Sequence, residues 1–89
     1  MPERRVTVAS GVGLHARPAA VVAKAAAAQP VPIGISKDGS SAVQANSVLN
    51  LMTLGAAQGD EVLLTAHGEG ADTALDQLAD LVATDLDES

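Results

Sequence analysis

The pair Asp38-Gly39, set between two short alternating segments, restricts what this chain can fold into more than any other feature. Val31, Ile33 and Ile35 recur at every second residue, the spacing of a strand with one buried face, and Gly34 and Ser36 fall on the other side. Asp-Gly after such a segment is a tight-hairpin signal, so Ser41 to Gln44 are expected to return antiparallel to it. A strand turned straight back does not fit a parallel sheet built from crossover helices. Pro30 and Pro32 lack amide donors and confine the start of this strand to an edge or a lead-in.

The remaining elements follow from local pattern. Arg5 to Ala9 alternates, with Val6 and Val8 on one side, and reads as a first strand. Residues 10 to 15 form a loop, and Ala16 to Ala28 is an alanine-rich helix that stops before Gln29-Pro30. Ser47 is the expected N-cap of a short helix through Thr53, which Gly55 ends. Gln58-Gly59-Asp60 is a turn, and Val62 to His67 is a fourth strand. After Gly68-Glu69-Gly70 a last helix is expected from Ala71 to about Leu86. Its apolar face is Ala71, Ala74, Leu75, Leu78, Leu81 and Val82. Asp72, Asp76 and Asp80 form the opposite face, expected to be solvated and mildly self-repelling. Asp85, Asp87 and Glu88 stand at the negative end of the helix macrodipole, which predicts a frayed C-terminus. Alternating strands imply a sheet with one buried face, and the helices must cover it. The expected fold is α+β in two layers: a four-stranded antiparallel sheet with three helices on one face, in the order β-α-β-β-α-β-α.

Composition bounds what such a chain can do. Its 89 residues make one small domain, residues 1–89, and its 47% apolar content includes no aromatic residue. The core must therefore be built from Val, Leu, Ile, Met and alanine, and absorbance at 280 nm should be nearly absent. With no cysteine there is neither a disulfide framework nor a thiolate metal site, which fits a reducing cytoplasm. The apolar run from Pro18 to Ala28 is interrupted by Lys24 and is too short to span a bilayer, and Met-Pro-Glu-Arg-Arg lacks the apolar centre of a signal peptide. A cytoplasmic protein without membrane insertion is expected. A net charge of −6 with five Lys and Arg argues against nucleic-acid binding, so any basic contact surface must be local.

The stretch Ser10-Gly11-Val12-Gly13-Leu14-His15-Ala16-Arg17-Pro18 carries the chemistry. Proline suits the first helical turn, which places the helix start near Ala16 and His15 at its cap, facing the free amides of Ala16 and Arg17. That end of a helix favours anions, so it suits a neutral, nucleophilic imidazole whose product is negatively charged, such as phosphohistidine. Arg17 adds a planar fork able to grip phosphoryl oxygens. Gly11 to Ala16 also matches G-x-G-x-x-A, with Asp38 near the distance of a ribose-binding acid. The hairpin at Asp38-Gly39 sets that dinucleotide reading aside. No acid or serine completes a hydrolytic triad, no second histidine is spaced to share a metal, and His67, on a predicted strand, is read as structural or incidental.

Gly13-Leu14-His15-Ala16-Arg17-Pro18-Ala19 resembles the active-site signature of the histidine-containing phosphocarriers (HPr) of the bacterial phosphoenolpyruvate-dependent sugar phosphotransferase system. Asn46 to Gly55, followed by Gln58-Gly59, is similar to that family's short second helix and the turn after it. The resemblance implies an open-faced β-sandwich and a carrier that shuttles rather than catalyses. Enzyme I, charged by phosphoenolpyruvate, would phosphorylate His15 on Nδ1, and the group would pass to a histidine of a sugar-specific enzyme IIA. Arg17 and the amides around Ala16 would stabilise the phosphoryl group in transit. Ser47 matches a serine that a dedicated kinase phosphorylates in some lineages, although a serine there also caps the helix by itself. Val48, Leu49 and Met52 are expected to leave apolar surface beside His15 for docking, with Lys24 as a local positive rim. Neither a cofactor nor a metal is expected, and the chain should be a monomer. The alternative is a regulatory binding module of the same fold that reports phosphorylation state to other proteins. Two departures stand out: Val12 replaces a polar residue common in the family, and Ala27 and Asn50 occupy positions that are often basic.

Overall fold

The computed structural model describes residues 3–9, 16–37 and 41–84. They form β1 (Glu3–Thr7), α1 (Ala16–Ala27), β2 (Gly34–Lys37), β3 (Val43–Gln44), α2 (Val48–Thr53), β4 (Glu61–Thr65) and α3 (Ala71–Val82), in the expected order. The four strands make one antiparallel sheet in the order β1-β4-β2-β3. Asp38-Gly39 lies outside the described residues, but the strands on either side of it pair as a hairpin requires, Gly34 with Gln44 and Ile35 with Val43. A further bond, Ala45 N–H to the Ile33 carbonyl at 2.9 Å, carries the pairing one step beyond the strand ends.

One face of the sheet contributes Val6, Ile35, Val62 and Leu64 to a core closed by Ala19 and Val22 of α1, Leu51 of α2 and Ala74, Leu75, Leu78 and Val82 of α3. The helices form one layer: α1 packs on both α2 and α3, and α3 also lies against β1 and β4. With no aromatic ring to fill space, alanines at Ala19, Ala23, Ala26, Ala71 and Ala74 let α1 and α3 approach each other closely. Burying these apolar faces is the main source of stability in a core of this kind.

Several boundaries differ from the sequence expectation, each for a physical reason. β1 begins at Glu3 and ends at Thr7, because Val8 and Ala9 bond instead to the turn before β4 and to α3. β2 begins at Gly34, not Val31, since Pro30 and Pro32 withhold donors from the ladder. Ser36, expected on the open face, is buried there, and a Cβ at Gly34 would come within 2.7 Å of Thr65 Oγ1. A side chain at Gly34 would require Thr65 to shift its hydroxyl. β4 ends at Thr65, which leaves His67 exposed beyond the strand. α3 ends at Val82 with Ala83 as its C-cap, about a turn earlier than expected, and its last turn holds no basic residue. Asp85, Asp87 and Glu88 lie outside the described residues. The acidic face of α3 is not purely solvated: Arg4 of β1 donates to Asp76 at 3.0 Å and to Asp72 at 3.3 Å. Asp76 and Asp72 in turn raise the Arg4 pKa above its ordinary value.

Candidate functional site

α1 opens at Ala16, the residue after His15, while His15 itself and residues 10–14 lie outside the described residues. Pro18 and Ala19 are buried, so the first turn of α1 is seated in the core. Arg17 is left exposed on the outer side of that turn. As the first residues of the helix, Ala16 and Arg17 have amides without intrahelical acceptors. Lys24 falls two turns further on, also exposed, and the outer stripe of α1 runs Arg17, Ala20, Val21, Lys24. Among the described residues neither Arg17 nor Lys24 has an ion-pair partner. The acids are unevenly placed along the chain: from residue 4 to residue 59 there is one, Asp38, and the others flank that span.

α2 packs against α1 and is short enough that its surface is set by a few side chains. Ser47 is its N-cap as expected, in extended conformation, with Oγ accepting from Asn50 N–H at 3.2 Å. That bond satisfies one donor of the open helix end. Asn50 also donates through Nδ2 to the Gln44 carbonyl at 3.4 Å, tying the helix to β3. Leu51, fully buried, anchors α2 in the core. Val48, Leu49 and Met52 point outward at 38%, 70% and 43% exposure.

These three and Val21 of α1 (39% exposed) are the large apolar side chains left exposed among the described residues, and all four lie on the two packed helices α1 and α2. Large apolar side chains exposed on two neighbouring helices are candidates for a contact surface. Val21 was not among the residues expected here. Its signal was local: it stands four residues after Arg17 and three before Lys24, hence on the stripe that both cations define. Among the described residues no His, Cys, Asp or Glu cluster could hold a metal ion, and no helix is long and apolar enough to cross a membrane.

The family model for the PTS HPr component phosphorylation site matches residues 2–84. The chain is 49% identical to the phosphocarrier protein HPr of Streptomyces coelicolor, across 99% of this chain and 95% of that protein. It is 37% identical to the HPr-like protein Crh of Bacillus subtilis, across 97% of this chain and all of Crh. The crystal structure of HPr-C-His from Thermoanaerobacter tengcongensis superposes with a TM-score of 0.89 at 35% identity, covering 100% of this chain and 99% of that one. A match that spans both helices of the candidate site and every strand leaves one assignment: the chain belongs to the HPr family of phosphocarrier proteins, components of the phosphotransferase system rather than enzymes.

Proposed function

We propose that this phosphocarrier accepts a phosphoryl group on Nδ1 of His15 from phosphoenolpyruvate-charged enzyme I and passes it to a histidine of an enzyme IIA in sugar uptake. In the first step the bond from Nδ1 to phosphorus forms as the bond from phosphorus to enzyme I breaks. Passage to enzyme IIA repeats the exchange and regenerates the neutral ring. The observation that carries this reading is the exposure of Arg17 in the first turn of a helix that begins one residue after His15. A guanidinium there, with the open amides of Ala16 and Arg17, stabilises the charge on the phosphoryl oxygens without reorganising. Val48, Leu49 and Met52, joined by Val21, supply the apolar docking surface, and Lys24 supplies its positive rim. The same small surface must serve donor and acceptor in turn, and a flexible Met52 suits that exchange of partners. The carrier acts as a single domain, as a monomer, in the cytoplasm.

The test is to incubate the protein with enzyme I and labelled phosphoenolpyruvate. An acid-labile, base-stable phosphate is expected in the wild type and none in His15→Ala. Label retained by that variant would sink the assignment.

A second reading, regulatory reporting of phosphorylation state, draws support from the 37% identity to Crh, an HPr-like protein, and from Ser47 at the edge of the docking helix. Phosphorylation at Ser47 would set charge beside the apolar surface and weaken docking by repulsion and desolvation. The presence of His15 favours the carrier role, since a purely regulatory relative could dispense with it. The two roles are compatible in one chain.

A further inference from the structure

The backbone of Val8 and Ala9 is held more completely than that of β1 itself. All four of its polar groups are hydrogen-bonded to distant parts of the chain. Val8 N–H donates to the Asp60 carbonyl at 2.8 Å, and the Val8 carbonyl accepts from Gly59 N–H at 2.9 Å. Ala9 N–H donates to the Val82 carbonyl at 3.1 Å, and the Ala9 carbonyl accepts from Gln58 Nε2 at 3.3 Å. Three of the four bonds therefore come from the turn Gln58-Gly59-Asp60.

That turn is in turn fastened from within. Gly59 takes φ +89°, a conformation that L side chains resist. Asp60 Oδ2 accepts from Ala57 N–H at 2.9 Å and pairs with Lys37 Nζ at 3.0 Å. The Ala57 amide and the Lys37 ammonium both hold the Asp60 carboxyl below its usual range. Lys37 Nζ also donates to the Gly55 carbonyl at 2.9 Å, just past the end of α2. One lysine at the end of β2 thus ties the C-terminal side of the docking helix to the turn that grips Val8 and Ala9.

We propose that Lys37, Asp60 and Gln58 are positioning residues for phosphoryl transfer. Resting on the assignment of His15 as acceptor, the inference is that they fix the root of the segment leading from Ala9 to His15, six residues on in the sequence, in one frame with α2. A partner seated on α2 is thereby referenced to the same frame as Ala9, where that segment begins. Small errors in the approach of donor and acceptor are costly in such a reaction, whereas binding to α2 does not depend on the strap.

The experiment measures turnover and KM of enzyme I with the whole chain as acceptor, for wild type, Lys37→Met, Lys37→Arg and Gln58→Ala. Lys37→Met and Gln58→Ala are expected to lower turnover by about tenfold with KM little changed. Lys37→Arg, which keeps a cation able to bridge both acceptors, should retain most of the rate. Amide and His15 ring resonances should shift in the two defective variants while those of Val48 to Met52 stay in place. Gln58 is exposed and removes one side-chain bond, so its variant folds and keeps the test open. Wild-type turnover in both Lys37→Met and Gln58→Ala would overturn the positioning role and leave the carrier assignment intact. So would a loss that Lys37→Arg fails to rescue, or that merely follows Tm. A wild type that takes no label on His15 would overturn both.

Discussion

Leu49 of α2 and Leu75 of α3 have the same side chain and opposite surroundings, 70% exposed in one case and fully buried in the other. Their helices differ in the same sense. α3 buries a full stripe and engages its polar side inside the molecule, through Arg4 on Asp72 and Asp76. α2 buries Leu51 alone and turns three other apolar residues outward, beside an α1 stripe whose two cations have no ion-pair partner among the described residues. The contrast separates two jobs. α3 stabilises the sheet, and the α1–α2 face carries the exposed apolar side chains that the proposed function assigns to docking.

Substituting the two leucines tests that separation most directly. Leu75→Ala removes a buried side chain and leaves a cavity, and should cost about 3 kcal/mol of stability, read as a lower midpoint in urea with the slope unchanged. Leu49→Asp should leave the midpoint almost where it was and raise the KM of enzyme I for the carrier by about tenfold, the cost of about one well-packed apolar contact. A large stability loss in Leu49→Asp, or docking unaffected by it, would erase the distinction between the two helices.

The main lines of this division were legible in the sequence. Apolar spacing identifies the buried face of α3, and the near-continuous apolar run of α2 forces some of it outward. Ser47 as N-cap and the hairpin after β2 are likewise local signals, written in adjacent residues. What stayed hidden depends on contacts between distant residues. Asp72 and Asp76 read as solvated because Arg4 is 68 and 72 residues away in the chain. Lys37 reads as the flank of a turn until β2 and β4 pair and bring it to Asp60. Val21 was hidden differently: an alanine-rich helix shows little contrast between its faces, and only the register of Val21 with Arg17 and Lys24 places it on the exposed one. The start of β2 was a local matter instead: Pro30 and Pro32 already pointed to a lead-in before the ladder, which begins at Gly34.

A smaller effect separates the two helices at their N-termini. α3 starts after Gly70, with no side-chain cap, whereas α2 relies on Ser47 Oγ. Ser47→Ala should cost about 1 kcal/mol and leave transfer rates close to wild type. Ser47→Asp keeps an acceptor for Asn50 N–H, so stability should hold while added charge beside Leu49 raises the KM of enzyme I several-fold. If Ser47→Ala weakens docking while Ser47→Asp does not, the serine matters as a cap alone, and the case for regulation through its phosphorylation lapses.

The smallest effect concerns the cations. Arg4, Arg5 and Lys37 each close on an acid within the molecule, to Asp72 and Asp76, Glu61 and Asp60 respectively. Arg17 and Lys24 do not pair among the described residues, so the same charge does different work on the two sides of the layer. Arg4 is only partly shielded by its surroundings, and pairs of this kind contribute little in water and less in salt. Arg4→Gln should therefore lower Tm slightly at low ionic strength, by an amount that shrinks as salt is added, and should leave phosphoryl transfer untouched. In the wild type the same salt should raise the KM of enzyme I, because Arg17 and Lys24 attract a partner across solvent where ions screen them. Stability that ignores salt, or docking that ignores it, would mean that one of these two sets of charges is idle, and the variant tells which: Arg4→Gln changes the first dependence and not the second.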